Sequence, residues 1–327
     1  MMPCLVFGAP KVKMDLWYSS VAGEGDPAFK PTAMPTAVYG PAAAITADGK
    51  VAVLGGGMLA SGRFAYYNGH QVYDPETNTW SLRAGMPTAR YFHGAATLPN
   101  GRLMVFGGWK NGGVAPVEVY DPATNAWTTG REMGTPRAEM AFATLEDGRV
   151  FAAAGRVSGG PFTAAELYNP QTGTWAAVAP FPQSYAAPAA GAPLPGNKAG
   201  VFGGGITGVG AVDYIYVYDP ATNSYLLPSS LPTARYTAAA VGTDEGAVVI
   251  GGSNPALGDI YLQANEAYNA YTNATSVLAP MPGYGLGGMA AARLPKGQVG
   301  LFGGVRKVDV NGTFVNSEVH TVRVYWP

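Results

Sequence analysis

Cysteine is almost missing from this 327-residue chain: Cys4 is the only one. No disulfide can form within it, so packing must hold the fold together. A reducing compartment fits that economy, and the expected location is cytoplasmic. The stretch 1–10 carries no long apolar run behind a basic region and does not read as a signal peptide. Charge is scarce too. Charged residues make up 13% of the chain and the formal net charge is −1, which excludes the basic footprint of a nucleic-acid binder. Histidine is limited to His70, His93 and His320, none with a Cys or His partner at short spacing. No metal and no cofactor are expected on that pattern. No run approaches the roughly 20 apolar residues of a membrane helix, so no membrane partner is expected either. Disorder is excluded from the other side, because 47% of the residues are hydrophobic.

What the chain has in quantity is glycine (46) and proline (27), set in an internal repeat. The stretch 102–108 (RLMVFGG) is followed at 117–127 by VEVYDPATNAW, and the same order recurs. The second glycine of each pair falls at Gly56, Gly108, Gly155, Gly204, Gly252 and Gly304, a period of roughly 50 residues. At the third pair the first glycine is replaced by Ala154.

Each unit reads as four strands, a to d. Strand a is short and rich in small residues. A turn with glycine follows, as at Asn100-Gly101 and Asp147-Gly148, where a hairpin needs positive φ. Strand b is a continuous apolar run, the pattern of a strand covered on both faces. The glycine pair ends it where backbone packs closely. Strand c carries Glu-x-Tyr-Asp-Pro, whose Asp starts a turn and whose Pro presets φ. Strand d brings Trp80, Trp127 and Trp175, with Tyr225 in the fourth unit; the fifth unit loses both Asp-Pro and Trp. Glu118, Glu166, Glu266 and Glu318 read as one series ahead of the strand-c tyrosine, and such periodicity argues for a structural role.

Diglycine, downstream Tyr-Asp-Pro and then Trp resemble the Kelch-repeat family, over nearly the whole chain from about residue 35. The resemblance implies an all-β, six-bladed β-propeller with four antiparallel strands per blade. The expected blades cover residues 35–85, 86–133, 134–180, 181–230, 231–280 and 281–327. The sixth unit ends on Tyr325-Trp326-Pro327 where others have Tyr-Asp-Pro. Its strand d is therefore expected from residues 1–20, with Trp17 at the blade aromatic and 21–34 as an insertion. Closing the ring in this way removes a sheet edge.

In Kelch proteins the ligand site lies at one mouth of the central channel, built from the starts of strand a and the loops after the glycine pair. Carried over by position, this implies a ligand-binding set of Tyr39, Arg90, Tyr91, Arg137, Tyr185, Arg235 and Tyr236, with Trp109 and Arg156 after the glycines. Converging Arg and Tyr suit a carboxylate, a phosphate or a polyhydroxylated ring. The bland alternative is that they cement neighbouring blades. Candidate catalytic residues are Glu139, Arg90 and His93, since Glu139 is the one carboxylate in its stretch of strand a.

Kelch propellers include protein-binding modules, sugar mutarotases, copper radical oxidases and isothiocyanate-modifying factors, and fold does not choose among them. The copper enzymes need a tyrosine cross-linked to cysteine plus histidine ligands, and Cys4 lies outside the repeats. The Glu-x-x-x-Asp-x-x-x-His iron pattern of the isothiocyanate group has no match. Two readings follow. One is a monomeric binding protein that takes a small molecule, a glycan or a protein at one face. The other is a cofactor-independent enzyme, a mutarotase, epimerase or cyclase, with Arg, Glu, Tyr and His at the mouth.

Overall fold

A computed structural model describes residues 16–19, 31–60, 63–111, 113–258, 261–310, 313–319 and 322–326. Cys4, His320 and most of the expected insertion lie outside the described residues. Six four-stranded antiparallel sheets are present, each ordered a-b-c-d. The inner strands are Ala42–Ile45, Gly94–Thr97, Ala141–Thr144, Ala190–Leu194, Ala239–Gly242 and Ala290–Arg293. Pro255–Leu257, a 3-10 turn, is the only helix among the described residues, and no helix there is long and apolar enough to cross a membrane. The chain is an all-β six-bladed propeller, as its repeat predicts.

Packing follows from the position of each strand. The b strands Val51–Leu54, Leu103–Phe106, Val150–Ala153 and Val299–Phe302 are buried at every residue, because a blade lies against each face. Inner strands alternate buried and half-buried small residues, which lets six sheets approach one axis. The outer strands are mostly exposed. Hydrophobic clusters form between neighbouring blades: Ala96, Met104 and Phe106 of the second pack with Met140, Val150 and Tyr168 of the third.

The strand-c tyrosine sits opposite the strand-d aromatic in register: Tyr73 with Trp80, Tyr120 with Trp127, Tyr168 with Trp175 and Tyr218 with Tyr225. Its hydroxyl donates to the asparagine of the intervening turn, as from Tyr73 to Asn78 at 2.9 Å and from Tyr120 to Asn125 at 2.8 Å. The indoles reach back to the preceding connection: Trp80 Nε1 donates to the Thr32 carbonyl at 3.0 Å and Trp127 Nε1 to that of Ala84 at 2.7 Å. In the sixth blade the N-terminal strand Leu16–Ser19 takes the outer place, pairing with Val322–Trp326 and setting Trp17 opposite Tyr325. The last blade is closed by the N-terminal strand.

The glutamate series needs one correction. Glu318 belongs to a hairpin strand, Thr313–Glu318. The residue two before Tyr325 is Arg323, which is fully buried.

Candidate functional site

Strand a is the free edge of every sheet, and the six edges surround a channel of about 700 Å³. At one mouth the chain makes a ring of hydrogen bonds from blade to blade. Gly40 N–H donates to Gly288 (2.7 Å), Phe92 to Gly40 (2.8 Å), Glu139 to Phe92 (3.0 Å), Thr237 to Pro188 (2.9 Å) and Gly288 to Thr237 (2.9 Å). Aiming an N–H and a carbonyl sideways demands left-handed backbone: φ is 50° at Phe92, 58° at Glu139 and 55° at Thr237. Non-glycine residues held there cost about 1–3 kcal/mol each, a kind of strain that clusters at functional sites. Pro188 has no N–H, so the fourth blade cannot donate to Glu139 and the ring is open at that step.

The loops after the glycine pairs rise on the same side, tied to strand a by the bridges Tyr39–Gly57, Tyr91–Trp109, Ala138–Arg156, Tyr236–Ser253 and Gly287–Val305. Most form hairpins. The longest are Gly57–Ala60 with Arg63–Tyr66 and Val305–Val310 with Thr313–Glu318. The fifth blade carries the 3-10 turn instead.

Glu139 stands at the ring with its side chain 13% exposed. Trp109 Nε1 donates to its Oε1 at 2.8 Å, and Arg156 lies 3.7 Å from its Oε2. Burial nonetheless pushes the Glu139 carboxyl above the usual glutamate range, against the pull of Trp109 and Arg156. Tyrosines gather around it. The Tyr39 hydroxyl is pushed above the usual tyrosine range, by burial first and then by Tyr261, Tyr91, Glu139 and Tyr236. Tyr261 is pushed up to about 12 by burial and by Tyr236. Phe92 sits edge-on to Tyr39, with ring centroids 5.0 Å apart. Across the open step, the Thr237 and Ser253 hydroxyls meet at 2.8 Å.

A scan against protein-family models matches residues 89–134 to the Kelch motif. That match falls on the second blade of the six-bladed ring. The chain is a six-bladed propeller carrying a Kelch motif. No curated protein matches it. Kelch propellers are in general binding and interaction scaffolds.

The Kelch repeat also explains where the other predicted site residues lie. Arg90, Arg137 and Arg235, expected to bind a ligand, are instead fully buried. Each is spent on its own blade: Arg90 pairs with Glu118 at 2.9 Å, Arg137 with Glu166 at 2.5 Å and Arg235 with Glu266 at 2.5 Å. Each also bonds three carbonyls, as Arg235 does to Thr233 at 3.1 Å and to Gly251 and Ala264, both at 2.9 Å. The remaining units replace both partners at once. Val38 goes with Gln71, which bonds the Thr36 backbone, and Leu286 goes with Arg323, which lies 4.4 Å over the Tyr284 ring. In the fourth blade Tyr185 takes the arginine place, 1% exposed and packed edge-on to Phe181, with Tyr216 opposite. An extra residue there shifts the register, so Ala187 pairs with Gly205 as Tyr91 pairs with Trp109. Tyr185 therefore does not reach the mouth.

His93 is 4% exposed and neither ring nitrogen has a partner among the described residues. Burial and the Arg90 charge hold its imidazole well below the usual range, so it is neutral, which does not suit the acid–base role expected of it. The mouth thus brings together Tyr39, Tyr91, Trp109, Glu139, Arg156 and Tyr236 and leaves out Arg90, Arg137, Tyr185 and Arg235, while His93 lies along the channel wall. Reading the sequence missed Phe92, Thr237 and Tyr261. Phe92 and Thr237 directly follow the entrance tyrosines Tyr91 and Tyr236, a signal that was available. Tyr261 sits in a loop of no repeated pattern.

Proposed function

We propose that this propeller is a binding protein whose mouth takes a glycan. The observation that carries the reading is the set of aromatic rings gathered around one hydrogen-bonded carboxylate, Glu139. Aromatic faces stack on the C–H faces of sugar rings, while a carboxylate and hydroxyl groups satisfy sugar hydroxyls. An anionic ligand is less well served. The three arginines that would have met it are buried, and Arg156 already lies against Glu139.

Titration calorimetry against a panel of neutral oligosaccharides tests this. Binding is expected to weaken at least about tenfold in Tyr91→Ala and in Glu139→Ala, since each removes a group that leaves its partners unsatisfied. Binding that is indifferent to both substitutions would move the site elsewhere.

One observation favours a second reading, a cofactor-independent isomerase. Glu139 is a desolvated carboxyl with a raised proton affinity on strained backbone, which is how enzymes place a general acid or base near neutrality. Accelerated anomer exchange of a bound sugar, lost in Glu139→Gln while binding persists, would support it.

A further inference from the structure

We infer that the seam between the first and second blades is an acid-sensitive joint, which opens ahead of the other blade seams when its two buried histidines take up protons. His70 and His93 both lie in this seam, at places where the other blades carry mostly apolar side chains. His70 stands three residues before its strand-c tyrosine, where the later units have Val117, Ala165, Ile215, Asn265 and Val322. Its ring packs edge-on to Tyr120 of the second blade at 4.6 Å and lies 5.9 Å from the Trp127 ring. His93 takes the place that Met140 and Met289 hold in the third and sixth units. A Cβ at Gly55 would lie 2.9 Å from the His93 ring, as one at Gly107 would lie 2.7 Å from the Met140 methyl group and one at Gly251 2.8 Å from that of Met289. One slot between blades thus holds a thioether at two other seams and an imidazole here.

Neither place suits an imidazolium. His70 is 2% exposed and His93 4%, and no ring nitrogen of either has a hydrogen-bond partner among the described residues. The charged neighbour of each is a cation: Arg83 lies opposite His70 in register, and the Arg90 charge acts on His93. The carboxylates Glu118 and Glu132 act on Arg90. The Tyr120 hydroxyl is turned to Asn125, and the Ala84 carbonyl near His70 already accepts from the Trp127 indole. Burial pulls His70 down to about 4, against that carbonyl and together with Arg83, and holds His93 well below the usual range. Opening the seam returns both rings to water, where histidine titrates at about 6.5. The open form is therefore favoured from that pH downward, about tenfold per pH unit for each histidine released. The seam also carries the bond from Phe92 N–H to Gly40 and the contact between the Tyr39 and Phe92 rings. Its opening breaks the mouth, whatever the mouth binds.

Equivalent backbone bonds report on the seams one by one. Gly56 N–H donates to the Arg90 carbonyl across this seam at 2.7 Å, while Gly108 donates to Arg137, Gly204 to Arg235, Gly252 to Leu286 and Gly304 to Val38 across others. The experiment is amide hydrogen exchange of the full chain between about pH 7.5 and 5, read as protection factors so that the intrinsic rate drops out. Gly56 and Phe92 are expected to lose protection below about pH 6.5, approaching a hundredfold per pH unit, while the other four glycines keep theirs. The double variant His70→Val with His93→Met copies residues of other blades and should remove that loss. Each single change should halve it on a logarithmic scale, which keeps the test open if the double variant folds poorly. His320 is present in every variant and cancels from the comparison. Gly56 keeping its protection down to about pH 5, or losing it in step with the other four glycines, would mean that no joint exists at this seam. A loss that persists unchanged in the variants would place the acid response on other groups and overturn the assignment to the histidines.

Discussion

The Trp109 indole of one blade donates to the Glu139 carboxylate of the next across 2.8 Å, and this bond acts on a group that burial has made reluctant to ionise. Because the folded-state proton affinity is raised, folding binds that proton more tightly than the unfolded chain does. The stabilising contribution is then complete below the unfolded glutamate value, about 4.3, and is lost as pH rises through the folded value. At neutral pH the buried carboxylate is a cost. Glu139→Gln is expected to raise Tm at neutral pH, with a gain that shrinks to nothing on acidification. Paired thermal melts across pH check it, and a gain that stays constant with pH would contradict the assignment.

The buried pairs give a second prediction. Removing one partner leaves an uncompensated charge among blades, so Arg235→Ala and Glu266→Ala should each cost about 3–5 kcal/mol. The double variant Arg235→Val with Glu266→Gln copies what the first blade already does with Val38 and Gln71. It should lose less than the sum of its single changes, measured as a double-mutant cycle by urea unfolding. Additive losses would mean that the pair is not coupled.

A third concerns Ala154. The first glycine of most pairs abuts a carbonyl of the next blade: a Cβ at Gly55 would lie 2.6 Å from the Arg90 oxygen, at Gly251 2.5 Å from that of Leu286, and at Gly303 2.6 Å from that of Val38. Ala154 is tolerated beside the fourth blade, whose entrance is bulged between Tyr185 and Ala187. It still sits at φ 53°. Ala154→Gly should therefore stabilise the protein by about 1 kcal/mol through relief of left-handed strain. A loss of stability in denaturant titration would show that its methyl group packs better than its backbone suffers.

These residues also show how much the sequence could tell. The repeat made the blades, the glycine pairs, the strand-c tyrosines and even Trp17 legible, because a position repeated several times must satisfy the same packing each time. Periodicity was also what misled. Arg90, Arg137 and Arg235 recur because they do one structural job, and sequence does not record that Glu118, Glu166 and Glu266 lie within 3 Å of them. Tyr185 was misplaced by one extra residue, which no local pattern marks. The mouth joins the repeated entrance tyrosines to residues that do not repeat, Glu139, Trp109 and Tyr261, and these gain meaning only when the ring brings distant loops together.

Closure of the ring supports the last prediction. Leu16–Ser19 pairs residue for residue with Trp326 back to Arg323, covering the edge of a strand whose Tyr325 is fully buried. Deleting residues 1–20 would expose that edge and unpair its backbone, and a propeller has no free terminal blade to absorb the loss, since the sixth sheet also packs against the first through Phe302 and Tyr73. The whole ring should therefore melt earlier, by on the order of 5–10 °C, in a single transition rather than as one fraying blade. Supplying residues 1–20 as a separate peptide should restore part of the loss. Unchanged melting of the truncated chain would mean that this strand is an ornament on a ring already closed by its inner blades.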